Sequence, residues 1–280
     1  MTTLKYVSLS DGTIVPALGQ GTWFMGESPA NTQQEITALK FGIEQGLTLI
    51  DTAEMYGDGG AEIIVGKAIK GVRDKLFLVS KVLPYHASYH GTIDACNNSL
   101  KRLNTDYLDL YLLHWPGSIP VSQTIEAMEA LIKQGKIKRW GVSNFDVMDL
   151  LELEPLIDAN KIATNQVLYN LSRRGIEFDL LPWSRQKKLP TMAYSPIEQG
   201  RILKNESLIK LANEHQVSPA QIALAWLLRY DDIIAIPKAS STKHILDNIN
   251  AFNLTLSKQD FIQLDSIFPA PTIKKPLAML

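Results

Sequence analysis

Three apolar runs in the first half of the chain decide the fold: Leu47-Thr-Leu-Ile-Asp51, Leu76-Phe-Leu-Val-Ser-Lys81 and Leu108-Asp-Leu-Tyr-Leu-Leu-His114. Each run has the length of a buried strand, and each ends in an ionisable residue. A helix-length stretch separates consecutive runs, which is typical of parallel strands joined by crossover helices. We therefore expect the three strand ends to lie at neighbouring points on one rim of a parallel sheet.

The same alternation continues along the whole chain. The predicted strands are Ala17–Gly21, Leu47–Asp51, Lys75–Lys81, Tyr107–His114, Ile137–Val142, Ile162–Val167, Thr191–Tyr194 and Ile233–Ile236. The helical patterns between them include a stretch that stops at Gly46, and Ile93–Leu103, Thr124–Gln134, Val147–Leu156, Ile176–Lys188 and Pro219–Arg229. Eight such units favour an α/β fold of the (β/α)8 TIM-barrel type as a single domain over residues 1–280.

Two features near the start of the chain refine this prediction. Asp11-Gly12 lies between alternating residues, which predicts a β-hairpin that closes the bottom of the barrel. After the first barrel strand, Gly19-Gln-Gly21-Thr-Trp23 lacks the third glycine of a dinucleotide-binding turn. An open doubly wound sheet is therefore the weaker alternative.

Composition excludes several classes of protein. The 280 residues carry 28 Lys and Arg against 29 Asp and Glu, so the net charge of -1 argues against nucleic-acid or membrane-surface partners. The single Cys96 excludes an internal disulfide framework and Cys-rich zinc motifs, and no metal site is predicted. No leader-like start and no apolar segment of about 18 residues is seen. We expect a soluble, cytoplasmic monomer.

The polar strand ends suggest proton chemistry. Asp51, Lys81 and His114 end consecutive runs, and Tyr56 lies in the glycine-rich loop that follows Asp51. A buried ammonium needs a partner, for which Asp51 is the candidate. The ammonium is expected to lower the pKa of Tyr56, so that the phenol protonates a carbonyl oxygen with His114 as second donor. No side chain donates hydride, so another group must supply it, and a nicotinamide is the usual source. Taken one at a time, each charged residue could also be the first solvated position after its strand, and Tyr56 could simply pack in its loop.

The order and context of these four residues resemble the catalytic tetrad of the aldo-keto reductases. The resemblance continues through Gly141-Val-Ser-Asn-Phe145, Asn165-Gln-Val167, Ala193-Tyr-Ser-Pro196 and Ile236-Pro-Lys238, and it covers essentially the whole chain. The small bacterial members that reduce reactive aldehydes such as methylglyoxal are the most similar. The resemblance implies hydride transfer from an NADP-type cofactor to the carbonyl carbon and proton transfer from Tyr56.

The resemblance also implies a cofactor site across the barrel mouth. Ser143, Asn144 and Gln166 would bind the nicotinamide carboxamide and Tyr194 would stack on the ring, although the first two also fit a helix cap and Tyr194 also fits the barrel core. The implied cofactor residues are Gly21, Thr22, Trp23, Asp51, Ser143, Asn144, Gln166, Tyr194, Ser195, Pro196, Ile197, Lys238, Ala239, Ser240, His244, Asp247 and Asn248.

The adenosine end departs from the family pattern at two positions. Lys238 matches the phosphate-binding lysine, but Ala239 replaces a common serine and His244 replaces the usual arginine. Histidine offers a single donor in place of the bidentate arginine fork. NADPH is therefore expected to be preferred, with NADH possible but weaker. The alternative is that His244 is only a solvated helix residue.

Aromatic and apolar residues follow the first four strands and are candidates for the substrate pocket: Trp23, Phe24, Met55, Tyr85 and Trp115. The loop after Trp115 and the segment after Phe268 are short, which predicts an open pocket for small aldehydes and dicarbonyls. Two other functions stay open: a non-enzymatic, cofactor-sensing subunit, and a barrel lyase or isomerase that uses Lys81 as a Schiff-base nucleophile.

Overall fold

The chain begins with a two-stranded hairpin placed before the barrel. A computed structural model describes residues 3–157 and 161–280. The antiparallel strands β1 (Tyr6–Ser8) and β2 (Ile14–Pro16) are joined by a turn in which Gly12 has a φ of 84°. Glycine adopts this left-handed conformation without a steric cost, which explains the Asp-Gly pair. The predicted hairpin is confirmed.

Eight parallel strands follow in sequence order, each hydrogen-bonded to the next. Isolated bridges from Leu18 to Ala235 and from Gly21 to Lys238 join the first strand to the last and close the sheet into a barrel. The predicted (β/α)8 fold is confirmed. The strands are β3 (Gln20–Gly21), β4 (Leu49–Asp51), β5 (Phe77–Val82), β6 (Leu110–Leu113), β7 (Trp140–Ser143), β8 (Ile162–Leu168), β9 (Thr191–Tyr194) and β10 (Ile233–Ile236).

Helices surround the barrel and cover the outer face of the sheet. None of the helices in the described residues is both long enough and apolar enough to cross a membrane. They are α1 (Thr32–Glu44), α2 (Gly60–Ala68), α3 (Tyr89–Leu103), α4 (Val121–Lys133), α5 (Val147–Leu153), α6 (Leu180–Gln186), α7 (Glu206–Glu214), α8 (Pro219–Leu228), α9 (Thr242–Asn250) and α10 (Lys258–Ile267).

The sequence patterns predict none of α2, α7 and α10. Helix α2 is short, contains two glycines and buries residues on most of its surface, so it has no polar stripe. Helix α7 does carry a usable signal, because the Asn205 side chain caps it and Leu208, Leu211 and Ala212 form its buried face. The predicted helix over 176–188 is shorter in the structure, where α6 starts at Leu180 behind its cap Asp179.

The hairpin lies at the N-terminal ends of the barrel strands. The Ser10 hydroxyl donates to the carbonyl oxygen of Ile162, the first residue of β8, at 2.6 Å. Arg139, which directly precedes β7, donates to the carboxylate of Asp11 at 2.8 Å and to the hydroxyl of Thr13 at 3.0 Å. The hairpin therefore closes the bottom of the barrel and leaves the C-terminal strand ends open.

The ion pair between Asp11 and Arg139 gives a pH-dependent prediction. Burial opposes ionisation, but hydrogen bonds from Arg139 and from the Thr13 backbone hold the pKa of Asp11 below its usual value. Asp11→Asn keeps the turn and removes the charge, so it should reduce the free energy of unfolding by less than about 1 kcal/mol at pH 7. Because the pKa is lowered on folding, this difference should be complete above about pH 5 and vanish as the pH falls below the ordinary value of 3.8. Urea unfolding at several pH values measures it, and an effect that grows in acid would contradict it.

Candidate active site

The barrel brings three ionisable side chains together at the C-terminal ends of adjacent strands. Asp51 is the last residue of β4, Lys81 lies near the end of β5, and His114 directly follows β6. Pairing of Asp51 with Val79 and of Lys81 with Leu112 fixes their relative heights. All three side chains are buried, with exposed fractions of 2% for Asp51, 0% for Lys81 and 7% for His114.

The Lys81 ammonium donates to three acceptors. The carboxylate of Asp51 and the carbonyl oxygen of Thr52 each accept at 2.8 Å, and the Tyr56 hydroxyl oxygen accepts at 3.1 Å. An ammonium has three hydrogens, so all of its donors are satisfied. Since the Tyr56 oxygen accepts from Lys81, the hydrogen of the phenol is free to be donated elsewhere.

The electrostatics of the site keep Tyr56 protonated and His114 neutral. Burial, and then the charge of Asp51, raise the pKa of Tyr56 well above its usual 10.0. The expected lowering of the Tyr56 pKa is therefore wrong, because burial and the charge of Asp51 both disfavour the phenolate. Burial lowers the pKa of Lys81 although Asp51 opposes this shift. Burial and the nearby Lys81 charge hold the pKa of His114 well below 6.5.

Close backbone contact between two loops positions Tyr56. A Cβ atom at Gly60 would lie 2.6 Å from the carbonyl oxygen of Gly26, so only glycine permits this approach. The contact joins the loop that carries Trp23 to the loop that carries Tyr56, and their rings stack at a centroid distance of 5.8 Å. The His114 ring contacts the Tyr56 ring edge-on, also at 5.8 Å between centroids.

A hydrogen-bond chain links the tetrad to the opposite strands of the barrel. The side-chain amide of Gln166, in β8, donates to the second carboxylate oxygen of Asp51 at 2.8 Å. The Ser143 hydroxyl donates to the backbone carbonyl oxygen of Gln166 at 2.8 Å. The side-chain amide of Asn144 donates to the backbone carbonyl oxygen of His114 at 3.1 Å. The Tyr194 hydroxyl completes the chain by donating to Asn144 at 3.1 Å.

Two residues that directly follow barrel strands have a left-handed backbone conformation. Asn144 follows β7 with a φ of 59°, and Ser195 follows β9 with a φ of 50°. Such conformations are costly for residues other than glycine and are found where the surrounding structure imposes them, often at functional sites. Asp146, and neither Ser143 nor Asn144, caps α5. The alternative in which Ser143-Asn144 followed by Asp146 caps a helix therefore holds for Asp146 and not for Ser143 or Asn144.

Two cavities meet at Tyr56 and Tyr194. The larger has a volume of about 470 Å³ and extends over the barrel mouth to the N-termini of α8 and α9. Most of the cofactor candidates line it: Gly21, Thr22, Trp23, Asp51, Tyr194, Ser195, Pro196, Ile197, Lys238, His244, Asp247 and Asn248. The cavity is also lined by residues that the sequence patterns did not indicate: Gln199, Gly200, Leu203, Ser218, Pro219 and Ala220. For these, the Ser-Pro start of α8 was a usable signal.

Five of the cofactor candidates lie outside that lining: Ser143, Asn144 and Gln166 line the smaller cavity, and Ala239 and Ser240 line neither. Ala239 is buried, and Ser240 accepts a hydrogen bond from Lys238 at 3.4 Å and offers its carbonyl oxygen to Gln34. Asp247 lines the cavity, but its carboxylate accepts from Ser218 at 2.7 Å and from Gln221. It therefore joins α9 to the start of α8.

The smaller cavity has a volume of about 250 Å³ and contains the reactive groups. Its lining includes the predicted Trp23, Met55 and Trp115, together with Tyr56, His114, Ser143, Asn144, Gln166 and Tyr194. Met279 and Leu280 also line it, so the final segment reaches this cavity although it is short. Phe24 lines the larger cavity instead. Tyr85 is 65% exposed, packs on His86 and lines neither cavity.

Comparison with known proteins decides the family. Residues 17–268 match the model of the aldo/keto reductase family. The chain belongs to this family. It is 52% identical to the methylglyoxal reductase YeaE of Escherichia coli K12, over 99% of both chains. It is 38% identical to the glyoxal reductase of Bacillus subtilis, over 95% of this chain and 94% of that protein. An aldo-keto reductase from Klebsiella pneumoniae, solved in complex with NADPH, shares 51% identity and a TM-score of 0.96, over 99% of this chain and 100% of that chain.

The buried pair of Asp51 and Lys81 gives a stability prediction. Asp51→Leu leaves the Lys81 ammonium buried without its counter-charge, which should reduce the free energy of unfolding by about 3–5 kcal/mol. Adding Lys81→Met removes the stranded charge, so the double variant should recover much of that loss. Urea unfolding compares the variants at one pH. If the double variant is no more stable than Asp51→Leu, the loss of stability does not come from the unpaired charge of Lys81.

Proposed function

We propose that this protein is an NADPH-dependent oxidoreductase that reduces small aldehydes and dicarbonyls of the methylglyoxal type to alcohols. One observation carries the proposal: Lys81 binds the oxygen of Tyr56 and leaves the phenolic hydrogen available to the smaller cavity. A proton donor fixed beside an apolar pocket suits a reaction that generates an alkoxide.

The larger cavity fits an extended dinucleotide. It has Lys238 and His244 for a phosphate and the aromatic Tyr194 near the tetrad, where the amide of Gln166 lines the adjoining smaller cavity. The N-termini of α8 and α9 add backbone N–H groups. The structure of the Klebsiella pneumoniae relative with NADPH supports the assignment. When bound, the reduced nicotinamide supplies hydride to the carbonyl carbon.

In the proposed reaction Tyr56 donates its proton to the carbonyl oxygen as negative charge develops there. The raised pKa keeps the phenol protonated at neutral pH, and an alkoxide is basic enough to take the proton. Lys81 stabilises the phenolate that results, and Asp51 balances the charge of Lys81. Neutral His114 lines the same cavity and donates a second hydrogen bond to the carbonyl oxygen.

The walls of the smaller cavity indicate the substrate class. Its apolar lining residues are Trp23, Met55, Trp115, Met279 and Leu280, and its volume is about 250 Å³. This space suits a short carbonyl compound with few polar groups. The relatives named methylglyoxal reductase and glyoxal reductase support small dicarbonyls as substrates.

The geometry disfavours the two other functions. Lys81 lines neither cavity and donates all of its hydrogens, so it is poorly placed to attack a carbonyl carbon as a Schiff-base nucleophile. A purely regulatory subunit would not need a buried tetrad beside a substrate-sized cavity. We further propose that the protein acts in the cytoplasm, as a single domain and as a monomer.

Removing the phenolic hydroxyl tests the role of Tyr56. Tyr56→Phe should lower kcat for methylglyoxal by about 10²–10⁴ because no other group gives up the proton. The Kd for NADPH, measured by quenching of protein fluorescence, should stay near that of the wild type. Tyr6→Phe, in the exposed part of the hairpin, is the matched control and should keep full activity. Full turnover by Tyr56→Phe would refute the assignment.

Replacing His244 tests the phosphate end of the site. His244→Arg adds a permanent charge and a second donor, so the Kd for NADPH should fall and the NADPH-to-NADH ratio of kcat/KM should rise by roughly tenfold. The Kd for NADH should change little because NADH has no 2'-phosphate. A wild type that prefers NADH, or an equal effect on both cofactors, would contradict the proposed site.

A further inference from the structure

Lys274 fixes the 269–280 segment to two loops of the barrel rim. Its ammonium contacts the carboxylates of Asp146, at 2.8 Å, and Asp179. These aspartates cap the N-termini of α5 and α6, the helices that follow the neighbouring strands β7 and β8. One side chain of the segment therefore bridges two loops that lie above adjacent strands.

Beyond Lys274 the segment returns to the mouth of the barrel. Leu277 is partly buried against the core. Met279 and Leu280 then line the smaller cavity together with Tyr56 and His114. The two residues that form this wall lie five and six positions after the lysine, so the place of Lys274 limits where they can lie.

The Lys274 ammonium stays charged at neutral pH. Burial works against the ammonium, but the hydrogen bonds to Asp146 and Asp179 raise the pKa of Lys274 above its ordinary 10.5. The side chain is 40% exposed, so dissolved salt can screen the interaction. A partly exposed cation held by two carboxylates is suited to a contact that is stable but reversible.

We propose that Lys274 is a positioning residue that sets the width of the substrate cavity by holding Met279 and Leu280 over it. The proposal rests on the function proposed above for that cavity. When the contact is intact, the two side chains give a small carbonyl compound an apolar wall. When it is broken, the segment moves more freely, so small substrates lose contacts and bulky substrates gain access.

A charge-removing variant separates positioning from chemistry. Lys274→Met keeps most of the aliphatic stem and should raise the KM for methylglyoxal about threefold to tenfold, with a much smaller change in kcat. The KM for a bulky aromatic aldehyde should rise less or fall. The Kd for NADPH should be unchanged, and Lys274→Arg should restore the wild-type KM values. Lys275→Met is the matched control, because Lys275 is exposed and has no salt bridge within residues 3–157 and 161–280.

The same contact can be broken independently by replacing the two carboxylates that bind Lys274. Asp146→Asn combined with Asp179→Asn removes both charges, and asparagine still serves as a helix cap. This double variant should reproduce the KM changes of Lys274→Met. Combining all three substitutions should add little, because the interaction is already lost. Additive effects would overturn the proposal, since they would show that the three residues act separately.

Hydrogen exchange measured by mass spectrometry tests the position of the segment without catalysis. Peptides that cover residues 275–280 should exchange faster in Lys274→Met than in the wild type and in Lys275→Met. Unchanged exchange, or faster exchange with no change in KM, would overturn the proposal. If the wild type reduces no aldehyde with NADPH, the proposed function fails, and exchange alone then decides whether Lys274 holds the segment.

Discussion

The contact between Lys81 and Asp51 is the interaction on which the rest of the site depends. A lysine with no exposed surface is tolerated only if its charge is balanced and its hydrogens find acceptors. Asp51 and Thr52 meet two of these needs and the hydroxyl of Tyr56 meets the third. The same contact that stabilises the ammonium therefore fixes the oxygen of the proposed proton donor. Adjacent parallel strands supply the register that this geometry needs.

The second carboxylate oxygen of Asp51 extends this constraint across the barrel. Gln166 binds it from β8, and Ser143 and Asn144 connect Gln166 and His114 to the same network. The residues that face the proposed nicotinamide site are thus held by the groups that hold Tyr56. A displacement of either set would therefore disturb the other.

The features of the fold and the site that depend on local sequence patterns could be predicted from the sequence. Strand ends, the Asp-Gly hairpin and the proline-started α8 have short-range signals, so Asp51, Lys81 and His114 could be placed on one rim. The wall formed by Met279 and Leu280 has no such signal, because Lys274 meets Asp146 and Asp179 across 128 and 95 positions of the chain. The direction of the Tyr56 pKa shift could not be predicted from the sequence either, since it depends on how far the folded barrel buries the phenol.

The most direct test of the central claim is a crystal structure with NADP⁺ and an unreactive carbonyl compound in the smaller cavity. The account predicts that the carbonyl oxygen lies within about 3.2 Å of the Tyr56 hydroxyl while that hydroxyl still accepts from Lys81. It also predicts that the nicotinamide lies against Tyr194, next to the bound carbonyl group. A carbonyl oxygen bound away from Tyr56, or a phenol turned away from Lys81 in the complex, would contradict the account.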